Sequence, residues 1–293
     1  GQPIDPRWPI VAKLIVSGGS AVAVVLAVAV VGLLLGGPGV DRWSSFVGFA
    51  VATVAYTAFW LVLAIAVARL GRRSETNALL LGGAWLAFVI VVPGLLAVFV
   101  DALLPVPSRL VALGDQRTES SLAAQEASST LDAYYEDHPE LAGAERQGGF
   151  LPSYFAQQRR VEARLLPGIE TFEARLVERQ RLVRQLSALS PAVATQEAFY
   201  ALAGSDTERH HRYVEAARQL LADWHALLSP RLFQGQPLTI DDFQRLPELD
   251  WSETGAGTAV LWLLAASVLG WSTVALIVAR RGSTERSRAV DQS

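Results

Sequence analysis

Four stretches of this chain contain no Asp, Glu, Lys or Arg, and each is long enough to cross a lipid bilayer. They run from Leu14 to Val40, Trp43 to Ala68, Thr76 to Val100 and Thr254 to Ala279, which is 27, 26, 25 and 26 residues. A helix needs roughly 20 apolar residues to traverse about 30 Å of hydrocarbon. Composition agrees, with 18% charged residues and a mean hydropathy of +0.30, whereas soluble domains run near 25% charged. The expected fold class is all-α: integral membrane helices with an all-helical extracytoplasmic domain between the third and fourth spans. The expected division is 1–100 for a cytoplasmic leader and three transmembrane helices, 101–253 for a periplasmic helical domain, 254–279 for the fourth transmembrane helix and 280–293 for a cytoplasmic tail.

Arginine placement sets the expected orientation, because short cytoplasmic loops are enriched in Lys and Arg. The turn between the second and third apolar stretches carries Arg69, Arg72 and Arg73, the tail carries Arg280, Arg281, Arg286 and Arg288, and the leader carries Arg7 and Lys13. Both ends of the chain are therefore expected in the cytoplasm; the expected location is the inner membrane of a bacterial cell, multi-pass. The long insertion from Asp101 to Glu253 falls outside. It holds 23 acidic residues against 15 arginines, a sign compatible with export that does not decide it.

Within the insertion, apolar residues recur at three and four, the helical period. Leu165, Ile169, Phe172, Leu176, Val183 and Leu186 mark one long helix, which Pro167-Gly168 is expected to kink or split. Ser190-Pro191 marks a second helix start, with Pro at the first helical position. Ser205 followed by Glu208 reads as a capping box. It opens a helix whose apolar stripe, Tyr213, Ala217, Leu220, Leu221, Trp224, Leu227 and Leu228, ends before Pro230. Tyr213, Leu220, Leu221 and Trp224 are the expected core of the insertion. Leu232 to Trp251, with Gly235, Pro237 and Pro247, reads as an irregular return to the membrane.

Chemistry-bearing patterns are sparse. No ionisable residue lies inside the four apolar stretches, where such groups are costly and mark function. The chain has no cysteine, and its four histidines, His138, His210, His211 and His225, lack metal-ligand spacing. It has no phosphate loop, and Lys13 is its only lysine. Basic stripes with interleaved aromatics are missing, so no nucleic-acid partner is expected. No catalytic, cofactor-binding or metal site is expected, and no cofactor. Small residues offer helix contacts: Gly32 and Gly36 form a GxxxG pair, and Ala78 with Gly82 and Ala266 with Gly270 have the same spacing. Pro93-Gly94 inside the third span removes a helical hydrogen bond and predicts a kink.

Several segments in order resemble a known family. They are Ala-Arg-Leu-Gly-Arg-Arg at 68–73, Val-Val-Pro at 91–93, Leu-Pro-Val-Pro-Ser-Arg-Leu at 104–110, Leu-Ser-Pro-Ala at 189–192 and Ala-Leu-Ala-Gly-Ser-Asp at 201–206, followed by a helix with Arg212 and Tyr213. Together they resemble the ABC type-2 exporter permeases that carry a large helical periplasmic insertion, over nearly the whole chain. Members usually have two more spans before the point where this sequence begins, so the resemblance implies a C-terminal portion. It further implies a transport subunit without its own catalytic site, paired with a second permease subunit as a homodimer or heterodimer. A separate cytoplasmic ABC ATPase would drive it, and membrane lipids would surround it. The family's coupling element maps onto Gln2 to Lys13, making Arg7, Trp8 and Lys13 the expected ATPase contacts, with Arg72 and Arg73 secondary. The alternative is a membrane sensor or structural subunit of an envelope complex with a helical periplasmic interaction domain.

Overall fold

The computed structural model describes residues 7–35, 41–70, 73–105, 114, 117–118, 121–122, 127–141, 150–249, 251 and 259–290. Among these residues it is all-helical, and four helices are long and apolar enough to cross a membrane: Ile15–Leu35, Arg42–Arg69, Ser74–Leu103 and Ala259–Arg281. The chain is an all-α membrane protein. The first span belongs to α1 (Arg7–Leu35) and the second to α2 (Asp41–Arg69). The third is built from α3 (Ser74–Leu86), a π-helical turn at Ala87–Val91 and α4 (Val92–Leu103). In the insertion follow α5 (Ala127–Asp137), α6 (Phe150–Leu186), α7 (Pro191–Leu202), α8 (Thr207–Phe233) and the short α9 (Ile240–Gln244). The fourth span lies in α10 (Ala259–Val290).

These elements form two compact units. One comprises Gly1–Leu103, Gln180–Asp206 and Thr254–Ser293; the other comprises Leu104–Arg179 and Thr207–Glu253. The boundaries differ from the division at 101–253 read from the sequence. Residues 180–206, from the last turns of α6 to the end of α7, pack with the membrane helices. The reason is visible in the core of the first unit, where Ala194, Ala198 and Ala201 of α7 are buried with Ala52 and Phe59 of α2 and Val260, Leu264 and Val268 of α10. Alanine every third or fourth residue gives α7 a face slim enough to approach two spans at once. A twelve-residue helix is too short to register as a span.

In the second unit the core gathers on Phe233, fully buried at the end of α8. Tyr134 and Tyr135 of α5 and Phe155 of α6 surround its ring, with centroids 5.2, 5.4 and 5.5 Å away, and Leu131, Leu141 and Ala156 complete the cluster. The expected core is displaced from this centre. Tyr213, Leu221 and Trp224 keep 45%, 44% and 38% of their surface, and Leu220 is half-buried. Two of these side chains face the irregular return segment: the Trp224 indole N–H donates to the Pro247 carbonyl at 2.9 Å, and Tyr213 meets Trp251 edge-on at 5.4 Å. A single irregular segment hides less of a helix face than a neighbouring helix does. Periodicity shows that a face is apolar and is silent on what lies across from it.

Three local expectations also change. α6 runs through Pro167 as one helix, and α8 passes Pro230 to end at Phe233. Ser205 serves the end of α7 rather than the start of α8: its N–H donates to the Tyr200 carbonyl at 3.0 Å, across Gly204, whose φ of 66° is the left-handed conformation that closes helices. A capping box missed in the sequence sits at Thr239 and Asp242, which cap α9 reciprocally. By contrast Ser190-Pro191 starts α7 as expected, with Ser190 accepting from the Val193 N–H and Pro191 in the first turn.

Candidate functional site

The most informative feature of the first unit is a helical hairpin that re-enters the span region. Its descending arm is the end of α6 from Gln180, its tip is the 3-10 turn Ser187–Leu189 with Ser190, and its ascending arm is α7. The Ser190 hydroxyl donates to the carbonyl of Phe88 at 2.7 Å, and the Trp271 indole N–H donates to the carbonyl of Leu189 at 3.1 Å. Phe88 is 14 residues from one end of the Ser74–Leu103 span and 15 from the other, about 21 Å along the helix either way. Trp271 is similarly central in Ala259–Arg281. The tip therefore sits level with the middle of these two spans, while Phe199, stacked on Phe49 at 4.6 Å, places the top of α7 beside the first turns of α2.

Pro93 explains why the tip docks on Phe88. In an α-helix the Phe88 carbonyl would accept from the N–H of Val92, but that N–H donates to Ala87 instead, the i→i+5 pattern of a π turn. The residue that would serve Phe88 in this register is Pro93, which has no N–H. The carbonyl is left without a donor from its own helix, and Ser190 supplies one. The kink predicted at Pro93-Gly94 thus takes the form of a π turn that creates a docking point. Irregular backbone at membrane depth is tolerated where protein surrounds it, and Ser190 is fully buried.

Other polar groups of the hairpin are also paired. Ser187 donates to the Arg184 carbonyl and Thr195 to the Pro191 carbonyl, each at 2.7 Å. Glu197, 7% exposed, accepts from the Gln180 side-chain amide at 2.6 Å and so ties the two arms together. Arg184 lies 4.0 Å from Asp206. Glu197 lies outside the four charge-free stretches of sequence, and it is the fold of the hairpin that buries this carboxylate with the membrane helices.

Beneath the tip, aromatic rings form a layer: Phe88 packs edge-on against Phe59 at 5.6 Å and against Trp271 at 4.8 Å. From this layer a partly open cavity of about 190 Å³ runs between α2 and α10 to Leu70, Val278 and Ala279, with almost wholly apolar walls. Its far end lies at the arginine-bearing ends of the spans.

The residues singled out for coupling and helix packing are scattered by comparison. Arg7 and Trp8 begin α1, and their side chains lie outside the described residues, as do Arg72 and Gly36. Lys13 is exposed on α1, and Arg73 is exposed just before α3. Gly32, Gly82, Gly94 and Gly270 have nothing beyond their own stretch of helix within 4 Å of where a side chain would start. Close approach occurs instead at Gly18, where a methyl group would lie 3.1 Å from Leu61, and at Gly48, where it would collide with Leu202.

The second unit carries charge pairs of a different kind. Arg218 makes a two-pronged contact with Glu173 at 2.9 and 2.7 Å, and His211 is 3.5 Å from the same carboxylate. Arg231 pairs with Asp242 at 2.8 Å, and the hydrogen bonds of Thr239 hold the Asp242 carboxyl below the usual range. His225 is pushed down, first by burial and then by Arg159. Arginine only donates, so the His225 Nδ1, 3.3 Å from Arg159 Nη1, is the acceptor. Among the described residues no group of three or more His, Asp or Glu side chains is arranged to hold a metal ion.

Residues 111–252 match the family described as Domain of unknown function (DUF3526). The matched segment is just under half of the chain and contains the hairpin as well as the helices of the second unit. No curated protein and no solved structure matches the chain significantly.

Proposed function

We propose that this chain is the membrane-spanning permease subunit of an ATP-driven ABC exporter. The observation that carries the reading is the re-entrant hairpin, whose tip docks midway along two spans directly above an apolar cavity that extends to the arginine-bearing ends of the spans. A permease alternates between access from one side and access from the other, and a hairpin seated by a few hydrogen bonds over a cavity is the gate for that cycle in this reading. The positive-inside distribution supports cytoplasmic arginine ends and an insertion on the opposite side, which in this reading is the periplasmic side of a bacterial inner membrane. With no phosphate loop of its own, the chain would receive its stroke from a separate cytoplasmic ATPase. Arg7, Trp8 and Lys13 at the start of α1, with Arg72 and Arg73, are the contacts offered to it, beside a second permease subunit.

The test uses the absence of native cysteine. Cysteines placed at Gly48 and Leu202 should form a disulfide that holds the hairpin seated. In the complex purified with its ATPase and reconstituted in vesicles, oxidation should reduce transport-coupled ATP hydrolysis at least tenfold, and reductant should restore it. Unchanged hydrolysis in the fully cross-linked complex would remove the hairpin from the cycle. Purification of a stable complex containing no ATPase would favour the sensor or structural-subunit reading.

A further inference from the structure

The cavity below the hairpin has features that specify a ligand class independently of transport. Its walls are almost entirely apolar, so no group is present to recognise the amides of a peptide or the hydroxyls of a sugar. An apolar cavity of this size stays dry and accepts hydrocarbon; engineered cavities of about 150 Å³ behave that way. From Trp271 to Ala279 it extends along eight residues of α10, about 12 Å at the helical rise. That is close to the roughly 15 Å of hydrocarbon in one leaflet of a 30 Å core. The blind end is the aromatic layer of Phe59, Phe88 and Trp271. The other end reaches Leu70 and Ala279; the exposed Arg69 adjoins the first, and the exposed Arg281 lies two residues beyond the second.

We infer that this cavity is a binding site for one acyl chain of an anionic membrane lipid from the leaflet on the arginine side, with the lipid phosphate held by Arg69 and Arg281. The chain terminus rests on Trp271 and Phe88, under the hairpin tip. Apolar burial alone would accept any lipid, so the headgroup preference comes from the arginines. Basic residues at the ends of membrane helices attract anionic headgroups. The fit in depth assigns the ligand to a single leaflet rather than to a molecule bridging both.

Trp271 provides the readout, because bromine atoms on an acyl chain quench indole fluorescence on contact. Full-length protein is placed in vesicles of phosphatidylcholine with increasing fractions of phosphatidylglycerol, with brominated chains on one lipid or the other. Brominated phosphatidylglycerol should quench the component lost in Trp271→Phe at a several-fold lower mole fraction than brominated phosphatidylcholine. The surface double change Arg69→Gln with Arg281→Gln should abolish that preference while leaving quenching by phosphatidylcholine in place. Ala275→Phe, which fills the cavity, should remove the Trp271 component for both lipids. Equal quenching by the two lipids in the unaltered protein, or a preference that survives the arginine changes, would overturn the assignment. The measurement involves neither ATPase nor transport, so its failure would leave the permease reading standing, and failure of that reading would leave the site.

Discussion

The hairpin unit and the insertion unit are made of the same material, α-helices, yet their polar groups are arranged differently. In the hairpin the buried hydroxyls of Ser187, Ser190 and Thr195 each have a backbone carbonyl, and Glu197 has an amide. Several long-range partners in the insertion unit are pairs of full charges at partly exposed positions, such as Glu173 with Arg218. The difference follows the solvent. Among apolar spans a lone polar atom has no water to turn to and must be satisfied within the protein, whereas water screens the surface pairs and leaves them worth little individually. The two units should accordingly fail in different ways.

The largest expected effect is in the insertion. Phe233→Ala removes a fully buried ring at the meeting point of three aromatic side chains and should cost about 3–5 kcal/mol. The helices of the second unit should then become sensitive to limited proteolysis while the spans remain intact. Trp224→Ala should cost far less, since its ring keeps 38% of its surface. Equal protease sensitivity in the two variants would mean that the α8 stripe is the true core.

In the hairpin the expected loss is smaller and more specific. Ser190→Ala leaves the Phe88 carbonyl buried without a donor, a penalty of about 1–3 kcal/mol, read as a lower unfolding temperature of the detergent-solubilised chain. Pro93→Ala restores an N–H to the third span and should make the Ser190 substitution cheaper, because Phe88 can then be served by its own helix. A double-mutant cycle measures this coupling. Strict additivity of the two changes would refute the link between proline and hairpin.

The smallest effect is a pH dependence of the insertion. His225 has a folded-state pKa below its ordinary value, so the unfolded chain binds its proton more readily. Stability contributed by the neutral ring is present above about pH 6.5, the unperturbed value, and is lost as the pH falls from there toward the folded pKa. Protease resistance of the insertion should decline between pH 7.5 and pH 5, and His225→Gln should flatten the decline. A decline of the same size in that variant would assign it to other groups.

The sequence by itself determined the four spans, because charge-free runs of 25 or more residues have one inexpensive environment. It also determined the helical character of the insertion and the start of α7 at Ser190-Pro191, whose cap and proline act within a single turn. It located a perturbation at Pro93 but not its use. The serine that satisfies the orphaned Phe88 carbonyl of the π turn lies 102 residues away in the chain. The tertiary structure alone decided that residues 180–206 belong with the spans, that Glu197 is buried, and that the insertion centres on Phe233 rather than on Trp224. Composition and periodicity report the solvent a segment tolerates, whereas these features depend on which surfaces meet, and that is fixed only when distant segments pack together.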